Sequence, residues 1–198
     1  MYHQGNRELQ ARFDSQRLAD RLAERAAQRS LRIEDEDRAF IEARDMLFLA
    51  TADAEGRPNC SYKGGDPGFV RVLDESTLVF PNYDGNGMFL SFGNTRMNPH
   101  VGLLFIDFEA GKRIRLNGTA SIEPPTAVEP LYLQAQFIVK VHVREVFPNC
   151  PRYIHKYQLV ERSKFVPRAE VPTPVPAWKR YDWAKDVLPE GDPAKAQE

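Results

Sequence analysis

The sequence predicts a mainly β protein of the α+β class, with one closed or partly closed antiparallel sheet, N-terminal helices and an extended C-terminal arm. Residues 46–147 contain about seven short alternating or apolar segments joined by tight turns, a pattern typical of such sheets. Residues 1–45 are highly charged and carry a helical apolar pattern. Residues 148–198 hold eight of the 15 prolines, which favours an irregular, extended segment there.

Residues 1–45 are predicted to form a helical extension. One helix is expected from a cap at Asp14 or Ser15 to about Arg29, and a second over residues 36–44. Apolar residues recur on one side of each helix, at Leu18, Leu22, Ala26, Phe40 and Ile41. We expect these faces to cover the sheet or a partner subunit.

Residues 46–160 are predicted to form the sheet domain. The expected strands are residues 46–51, 57–63, 70–73, 77–80, 101–108, 112–122 and 136–147. Alternation is clearest in residues 112–122, where Ile114, Leu116 and Ala120 share one face. Residues 136–147 alternate as well, and there Ile138 shares a face with Lys140.

Residues 161–198 are predicted to be a proline-rich arm. Composition favours an extended chain from Val166 onward and disorder over residues 189–198. Trp178, Tyr181 and Trp183 are the exception, because three aromatic side chains in six residues are expected to dock on a protein surface rather than remain in water.

Charge and cysteine content restrict the function classes. A net charge of -1 with 28% charged residues gives no reason to expect a nucleic acid or a membrane as partner. The chain has no apolar run long enough to cross a bilayer and no signal-peptide pattern. Cys60 and Cys150 are predicted to be reduced thiols in the cytoplasm. Cysteine and histidine spacing indicates no metal site.

One turn interrupts the strand pattern in a chemically informative way. The segment from Phe80 to Met88 follows a strand and precedes a helical run over residues 88–96. A strand, a glycine-containing turn and a helix together direct free backbone N–H groups at an anion. Gly85 and Gly87 allow a close approach, and Asn86 adds a side-chain donor. An ordinary turn and helix cap is the alternative interpretation.

Two further groups are candidates for anion or ring contacts. Residues 59–65 combine polar strand positions with Lys63 and two glycines, although an exposed strand face explains them equally well. Arg113 and Arg115 lie on one predicted strand face, where they suit an anionic ligand, a solvated face or an ion pair between subunits.

The runs FLATADAEGRPNCSYKGG, TLVFPNYDGNGMFLSFGNTRMNPHVGLLFIDF and RIRLNGTASI, in this order, resemble the pyridoxamine 5′-phosphate oxidase-related family of FMN-binding split β-barrels. The resemblance covers about residues 36–160. It implies an FMN-binding split β-barrel, and a homodimer with FMN bound in clefts at the subunit interface.

The resemblance also implies site residues, although it assigns no catalytic residue. Those beside the flavin ring, ribityl chain and phosphate would be Ser61, Tyr62, Lys63, Pro81, Asn82, Tyr83, Asn86, Gly87 and Met88. Arg113 and Arg115 would lie near the ring or phosphate. Cys150 and Arg152 lie in a segment that would approach the cofactor from the partner chain.

Departures from the family pattern restrict the expected activity. The turn at residues 85–87 lacks the cations of the phosphate turn of the true oxidases, and the C-terminal region lacks their Arg-x-His ending. With these departures, the resemblance implies an FMN-dependent oxidoreductase acting on another small-molecule substrate or electron donor. A flavin-binding module without turnover and a haem-handling split barrel are the alternatives.

Overall fold

A computed structural model describes residues 2–27, 32–148 and 150–195. The chain divides into two compact units, Met1–Gln158 and Leu159–Glu198. Within the described residues, no helix has the length and apolar character that a bilayer-spanning segment needs. No group of three or more described His, Cys, Asp or Glu side chains is placed to hold a metal ion.

The first unit begins with three helices. They are α1 (Gln4–Arg12), α2 (Gln16–Ala27) and α3 (Asp35–Glu42). Helix α1 was not predicted, because it has no apolar stripe and none of its residues is buried. It begins at a capping box in which the backbone N–H of His3 donates to the side chain of Asn6. The predicted end of α2 at Arg29 falls outside the described residues.

The apolar faces of the helices have different outcomes. Ile41 of α3 is fully buried and Phe40 packs beside it, as predicted. Leu18 and Leu22 of α2 are exposed, at 63% and 55%, so they do not pack on the sheet of this chain, and a partner subunit as their cover stays a prediction. Helix α2 instead contacts α1 on another side, where Ala19 is buried and its carbonyl accepts a hydrogen bond from Tyr2.

In the described part of the chain, seven antiparallel strands form one sheet, in the order β2-β1-β5-β6-β7-β4-β3. They are β1 (Met46–Ala52), β2 (Pro58–Gly64), β3 (Arg71–Asp74), β4 (Thr77–Asn82), β5 (His100–Asp107), β6 (Lys112–Glu123) and β7 (Phe137–Pro148). Helix α4 (Leu90–Met97) lies between β4 and β5 in the chain. The predicted fold class, an antiparallel mainly β sheet with N-terminal helices, is confirmed.

The main core lies on one face of this sheet. Strand β6 contributes Ile114, Leu116 and Ala120, as its alternation predicts. A bulge between Asn117 and Gly118 shifts the register between β6 and β7. A Cβ atom at Gly118 would overlap the backbone carbonyl of His142, so this close approach requires glycine.

A smaller apolar cluster covers part of the opposite face. It contains Val79, Val128, Tyr132 and Ile138. Ile138 is fully buried although it shares a face with Lys140, because the chain between β6 and β7 folds over this end of the sheet. Alternation within β7 does not predict the burial of Ile138, since the residues that cover it come from a loop.

The second unit is held by turns and two short helices, a 3₁₀ turn over Ala177–Arg180 and α5 (Asp182–Lys185). Residues 189–195, predicted to be disordered, form two hydrogen-bonded turns around the buried Asp192; residues 196–198 lie outside the described residues. Trp178 and Trp183 stack on each other at a centroid distance of 5.9 Å.

Candidate functional site

A cavity of about 400 Å³ opens between β2, the end of β4 and the start of α4. It is lined by residues 59–64, 81–92 and Gln136. Its volume lies within the range of roughly 300–1,000 Å³ that small-molecule and cofactor sites typically have. Every predicted site residue on β2, at the end of β4 and in the following turn therefore faces one cavity.

Strand β2 forms one wall of the cavity. Among the described strands it is an edge strand that pairs with β1, so its other side is open to a ligand. Ser61 Oγ lies 3.0 Å from Ser91 Oγ of α4, which joins the strand wall to the helix. Ser91 is buried and was missed by sequence reasoning, since a serine inside a helical run carries no distinguishing signal.

Lys63 is the cation of this wall. Its Nζ lies 4.7 Å from the centroid of the Phe92 ring, a cation–π distance. The side chain is half-buried, and this burial lowers the pKa of the ammonium group. The pKa falls because removal from water disfavours the charged ammonium form. Lys63 is therefore a partly desolvated cation that an anionic ligand would stabilise.

Tyr62 precedes Lys63 on β2 and also lines the cavity. Its ring meets Phe48 edge-on at a centroid distance of 6.3 Å, and 62% of the residue remains exposed. Burial, followed by the charge of Asp45, raises the pKa of the phenol. A Cβ atom at Gly64 would lie 2.8 Å from this ring. Glycine at that position therefore allows the ring to lie over the strand.

The turn over residues 83–89 forms the second wall. Gly87 has φ 74° and Phe89 has φ 48°, so both occupy the left-handed region. This conformation is uncommon and costly for a bulky residue such as Phe89. The backbone N–H of Met88 donates to Asn86 Oδ1 at 3.1 Å. The turn extends two residues further than predicted, so helix α4 begins at Leu90 rather than at residue 88.

Helix α4 begins without a side-chain cap. Phe89 precedes the helix and has no polar atom to accept from its first N–H groups. Leu90 and Ser91, the first two helical residues, both line the cavity. The sequence predicted a helix start at this cavity, but at residue 88 rather than at Leu90; the predicted phosphate donor at Met88 is occupied, since its N–H donates to Asn86 Oδ1.

Gln136 completes the wall opposite β2. It accepts a hydrogen bond from Asn82 Nδ2 at 2.9 Å and donates from its backbone N–H to the Asn82 carbonyl at 2.8 Å. Its Nε2 donates to Asp84 Oδ1 at 3.4 Å. Sequence reasoning missed Gln136 as a site residue, because only the pairing of β4 with β7 brings it to the cavity.

The charges lining the cavity are few. Among the described residues that line it, Lys63 is the cation and Asp84 the carboxylate, and none is a histidine. Tyr83 is partly buried, and the pKa of its phenol is raised by that burial and by Asp66, against the opposing effect of Arg71. The cavity thus offers one ammonium, backbone donors and several neutral polar groups.

The remaining predicted site residues do not line this cavity. Arg115 lies over the Phe147 ring at 5.4 Å, and Arg113 neighbours it on β6. Arg152 Nε donates to Cys150 Sγ at 3.1 Å. Hydrogen bonds from the side chain and the backbone of Arg152 lower the pKa of the exposed Cys150 thiol, and the charge of Arg113 lowers it further by a smaller amount.

Three kinds of comparison relate the chain to known proteins. A model of the family described as Pyridoxamine 5'-phosphate oxidase matches residues 33–161. No curated protein matches the sequence. A solved structure of a putative pyridoxamine 5'-phosphate oxidase from Lactobacillus delbrueckii is 22% identical, covers 60% of this chain and 95% of its own, and has a TM-score of 0.48.

Two other solved structures are similar at a comparable level. HupZ of Group A Streptococcus is 21% identical over 59% of this chain and 93% of its own, with a TM-score of 0.46. HutZ, described as the haem storage protein of Vibrio cholerae, is 22% identical over 59% and 94%, with a TM-score of 0.43. Since the family model spans more than half of the residues, this chain belongs to the pyridoxamine 5′-phosphate oxidase family and has its split-barrel fold.

Proposed function

We propose that this protein binds FMN in the cavity between β2, β4 and α4, and acts as an FMN-dependent oxidoreductase on a small-molecule substrate. One observation carries the proposal: the half-buried ammonium of Lys63 and the uncapped start of α4 face the same cavity. Both features stabilise a phosphate dianion, and membership in the family makes a flavin phosphate the ligand of choice.

The phosphate would be held by Lys63 and by backbone donors. A helix start carries a partial positive charge and free N–H groups, which favour an anion. The turn at residues 85–87 supplies no cation, and Asp84 opposes the phosphate charge. We therefore expect the affinity for FMN to depend strongly on Lys63.

The isoalloxazine ring and ribityl chain would lie along the remaining wall. Tyr62, Pro81 and Met88 offer aromatic or apolar surface, while Ser61 and Asn82 offer hydrogen-bonding groups. When bound, FMN supplies the electron and hydride transfer chemistry of the protein. The side chains named here orient the ring and exclude water from it, and the substrate itself stays unassigned.

A homodimer is part of the same proposal. Met88, Phe89 and Leu90 line the cavity yet are 62%, 47% and 54% exposed. Exposed apolar side chains grouped in this way are typical of an interface. The predicted cofactor contacts of Arg113, Arg115, Cys150 and Arg152 would then come from the partner subunit, because these residues do not line the cavity of their own chain.

The haem-handling alternative has less support. A haem iron needs an axial ligand, commonly histidine. His3, His100, His142 and His155 are all absent from the described lining of this cavity, so an axial ligand would have to come from the partner subunit. A flavin, which needs no such ligand, suits the lining better.

The absorbance spectrum of the purified protein tests the cofactor. We expect flavin bands, or their appearance after FMN is added and excess is removed. Lys63→Gln should weaken FMN affinity by about tenfold to a hundredfold, as expected for loss of a charge-assisted contact in a partly desolvated site. The matched control is Lys140→Gln, on an exposed position of β7, which should bind FMN normally.

Other results of the absorbance and activity measurements would favour different functions. A Soret band without flavin bands would favour the haem-handling alternative. A colourless protein that ignores added FMN would overturn the proposal. Oxidation of a reduced pyridine nucleotide by the FMN-loaded protein would separate an enzyme from a flavin-binding module. Sedimentation analysis would test the homodimer independently of turnover.

A further inference from the structure

Phe92 lies where the main core meets the cavity of the barrel. It is the third residue of helix α4, it is only 3% exposed, and it belongs to the main core cluster. It also lines the cavity. The proposed function gives this ring no role, yet a side chain locked by core packing is well suited to hold a functional neighbour in place.

Two other aromatic rings pack around Phe92. Phe137 of β7 meets it edge-on, at a centroid distance of 5.1 Å and an interplanar angle of 89°, which is a favourable arrangement for two rings. Phe89, the residue in the left-handed region before α4, lies 6.2 Å from the same Phe137 ring. The ring of Phe92 is therefore held by the core on one side and by Phe137 on another.

Helix α4 is joined to both strands on this side of the cavity. Ser91 Oγ lies 3.0 Å from Ser61 Oγ of β2. Asn94 Nδ2 donates to Thr51 Oγ1 of β1 at 3.2 Å. These contacts flank Phe92 in the helix, so its ring keeps a defined position relative to β2.

Lys63 of β2 has no comparable support of its own. Its Nζ lies 4.7 Å from the centroid of the Phe92 ring. Among the described residues, no hydrogen bond or ion pair orients this ammonium. A lysine side chain has a flexible four-carbon stem, so the contact with Phe92 is what keeps the charge at the cavity.

We propose that Phe92 is a positioning residue for Lys63, whose ammonium it holds at the cavity to meet the phosphate of FMN. This inference rests on the function proposed above. The negative face of a ring attracts a cation, and an ammonium has three N–H donors, so it can contact the ring and a phosphate together. Because the side chain is ordered before the ligand arrives, less freedom is lost on binding.

The experiment compares the affinities of the full chain for FMN and for riboflavin, which is FMN without its phosphate, by equilibrium titration of flavin fluorescence. The dissociation constant for riboflavin divided by that for FMN measures the contribution of the phosphate. Phe92→Leu keeps an apolar side chain but removes the ring face, and it should lower this ratio by about fivefold. Phe92→Tyr keeps a ring face and should retain the ratio within about twofold.

Two controls separate an effect on Lys63 from an effect on the shape of the cavity. Phe48→Leu is the matched control, because Phe48 contacts the ring of Tyr62 rather than a cation. It should affect both flavins equally and leave the ratio unchanged. Adding Phe92→Leu to Lys63→Gln should leave the ratio of Lys63→Gln unchanged, since the ring then has no cation to hold.

The outcomes distinguish this inference from the proposed function. If the wild-type protein bound neither flavin, or bound both equally well, the phosphate assignment would be overturned and the inference with it. If FMN bound more tightly than riboflavin, an unchanged or raised ratio in Phe92→Leu would overturn the inference alone. So would a ratio lost in Phe92→Tyr, an equal fall in Phe48→Leu, or a further fall when Phe92→Leu is added to Lys63→Gln.

Discussion

Two lysines withdrawn from water show how differently the two units use charge. Lys179 of the C-terminal unit is buried and paired with Asp192 at 2.7 Å. Lys63 of the barrel is half-buried, lies over the Phe92 ring, and has no described carboxylate acting on its pKa. A buried charge is tolerated when it is paired. The fold supplies that partner for Lys179, whereas an anionic ligand can supply it for Lys63.

The surroundings of these lysines differ in the same way. The barrel core contains large, fully buried side chains such as Phe80, Phe105 and Leu116. In the described part of the C-terminal unit, the buried residues are Lys179, Ala184 and Asp192. The barrel is therefore stabilised mainly by apolar burial, whereas two of the three residues buried in the described part of the C-terminal unit form an ion pair.

The largest expected effect tests the apolar part of this comparison. Phe105→Ala should lower the free energy of unfolding of the barrel by about 4 kcal/mol, because it removes a fully buried ring and leaves a cavity. Urea unfolding followed by far-ultraviolet circular dichroism measures the change. Leu131→Ala, at a position 53% exposed, is the control and should change it by less than about 0.5 kcal/mol. Equal effects would contradict an apolar core.

The second prediction tests the ion pair. Lys179→Met should destabilise the C-terminal unit by about 3 kcal/mol, since it leaves Asp192 buried without its cation. Tryptophan emission during urea unfolding measures this unit, and Lys179→Met/Asp192→Leu should recover most of the loss. Lys185→Met, which removes an exposed pair with Asp182, should have little effect. The comparison fails if the double variant is as unstable as the single one.

The third prediction concerns acid. Burial by itself would raise the pKa of Asp192, but hydrogen bonds from Lys179 and the Ala194 N–H, with the charge of Lys195, hold it below its usual value. A carboxyl with a lowered pKa in the folded state adds stability above its unfolded pKa, which is about 3.9. That stability is lost as the pH falls through the lowered value. Tryptophan emission should thus stay constant from about pH 8 to pH 5 and change below about pH 4. Lys179→Met/Asp192→Leu, which lacks the carboxyl and leaves no buried charge unpaired, should lose this dependence; an unchanged acid transition in that double variant would remove Asp192 as its cause.

The sequence predicted the sheet well because each strand carries its own signal. Alternation in β6 places Ile114, Leu116 and Ala120 correctly, and the turn from Phe80 to Met88 lies at the cavity. Signals that arise between elements could not be found in the same way. Gln136 reaches the cavity only through the pairing of β7 with β4, and Ile138 is buried by a loop.

The same reasoning applies to the two ends of the chain. An apolar stripe on α2 predicts burial, but it does not say which surface covers Leu18 and Leu22. Proline-rich composition predicts an irregular chain over the C-terminal unit. It carries no information on which charged side chains meet there, so the contact between Lys179 and Asp192 was not predicted. A charge pair separated by 13 residues in an irregular segment has no periodicity to reveal it.

The smallest expected effect, a change of a few fold, tests Lys63 as the functional counterpart of Lys179. Burial lowers the pKa of Lys63, and its cationic form is the one that stabilises a phosphate. FMN affinity should therefore fall as the pH rises from about 7 toward 9.5, a range over which the phosphate stays dianionic because its second pKa is about 6. Equilibrium titration by flavin fluorescence measures the affinity at each pH.

Lys63→Gln separates this titration from that of other groups, because a neutral amide at residue 63 cannot lose a proton. The variant should bind FMN weakly at every pH, and its affinity should be nearly constant over the same range. An equally steep fall in Lys63→Gln would assign the titration to another group. If instead neither protein showed a fall, Lys63 would keep its proton throughout, and the bound phosphate would then offset the burial that lowers its pKa in the free protein. In that case Lys63 differs from Lys179 only in the free protein. Once FMN is bound, its phosphate is the anionic partner of Lys63, as the Asp192 carboxylate is that of Lys179.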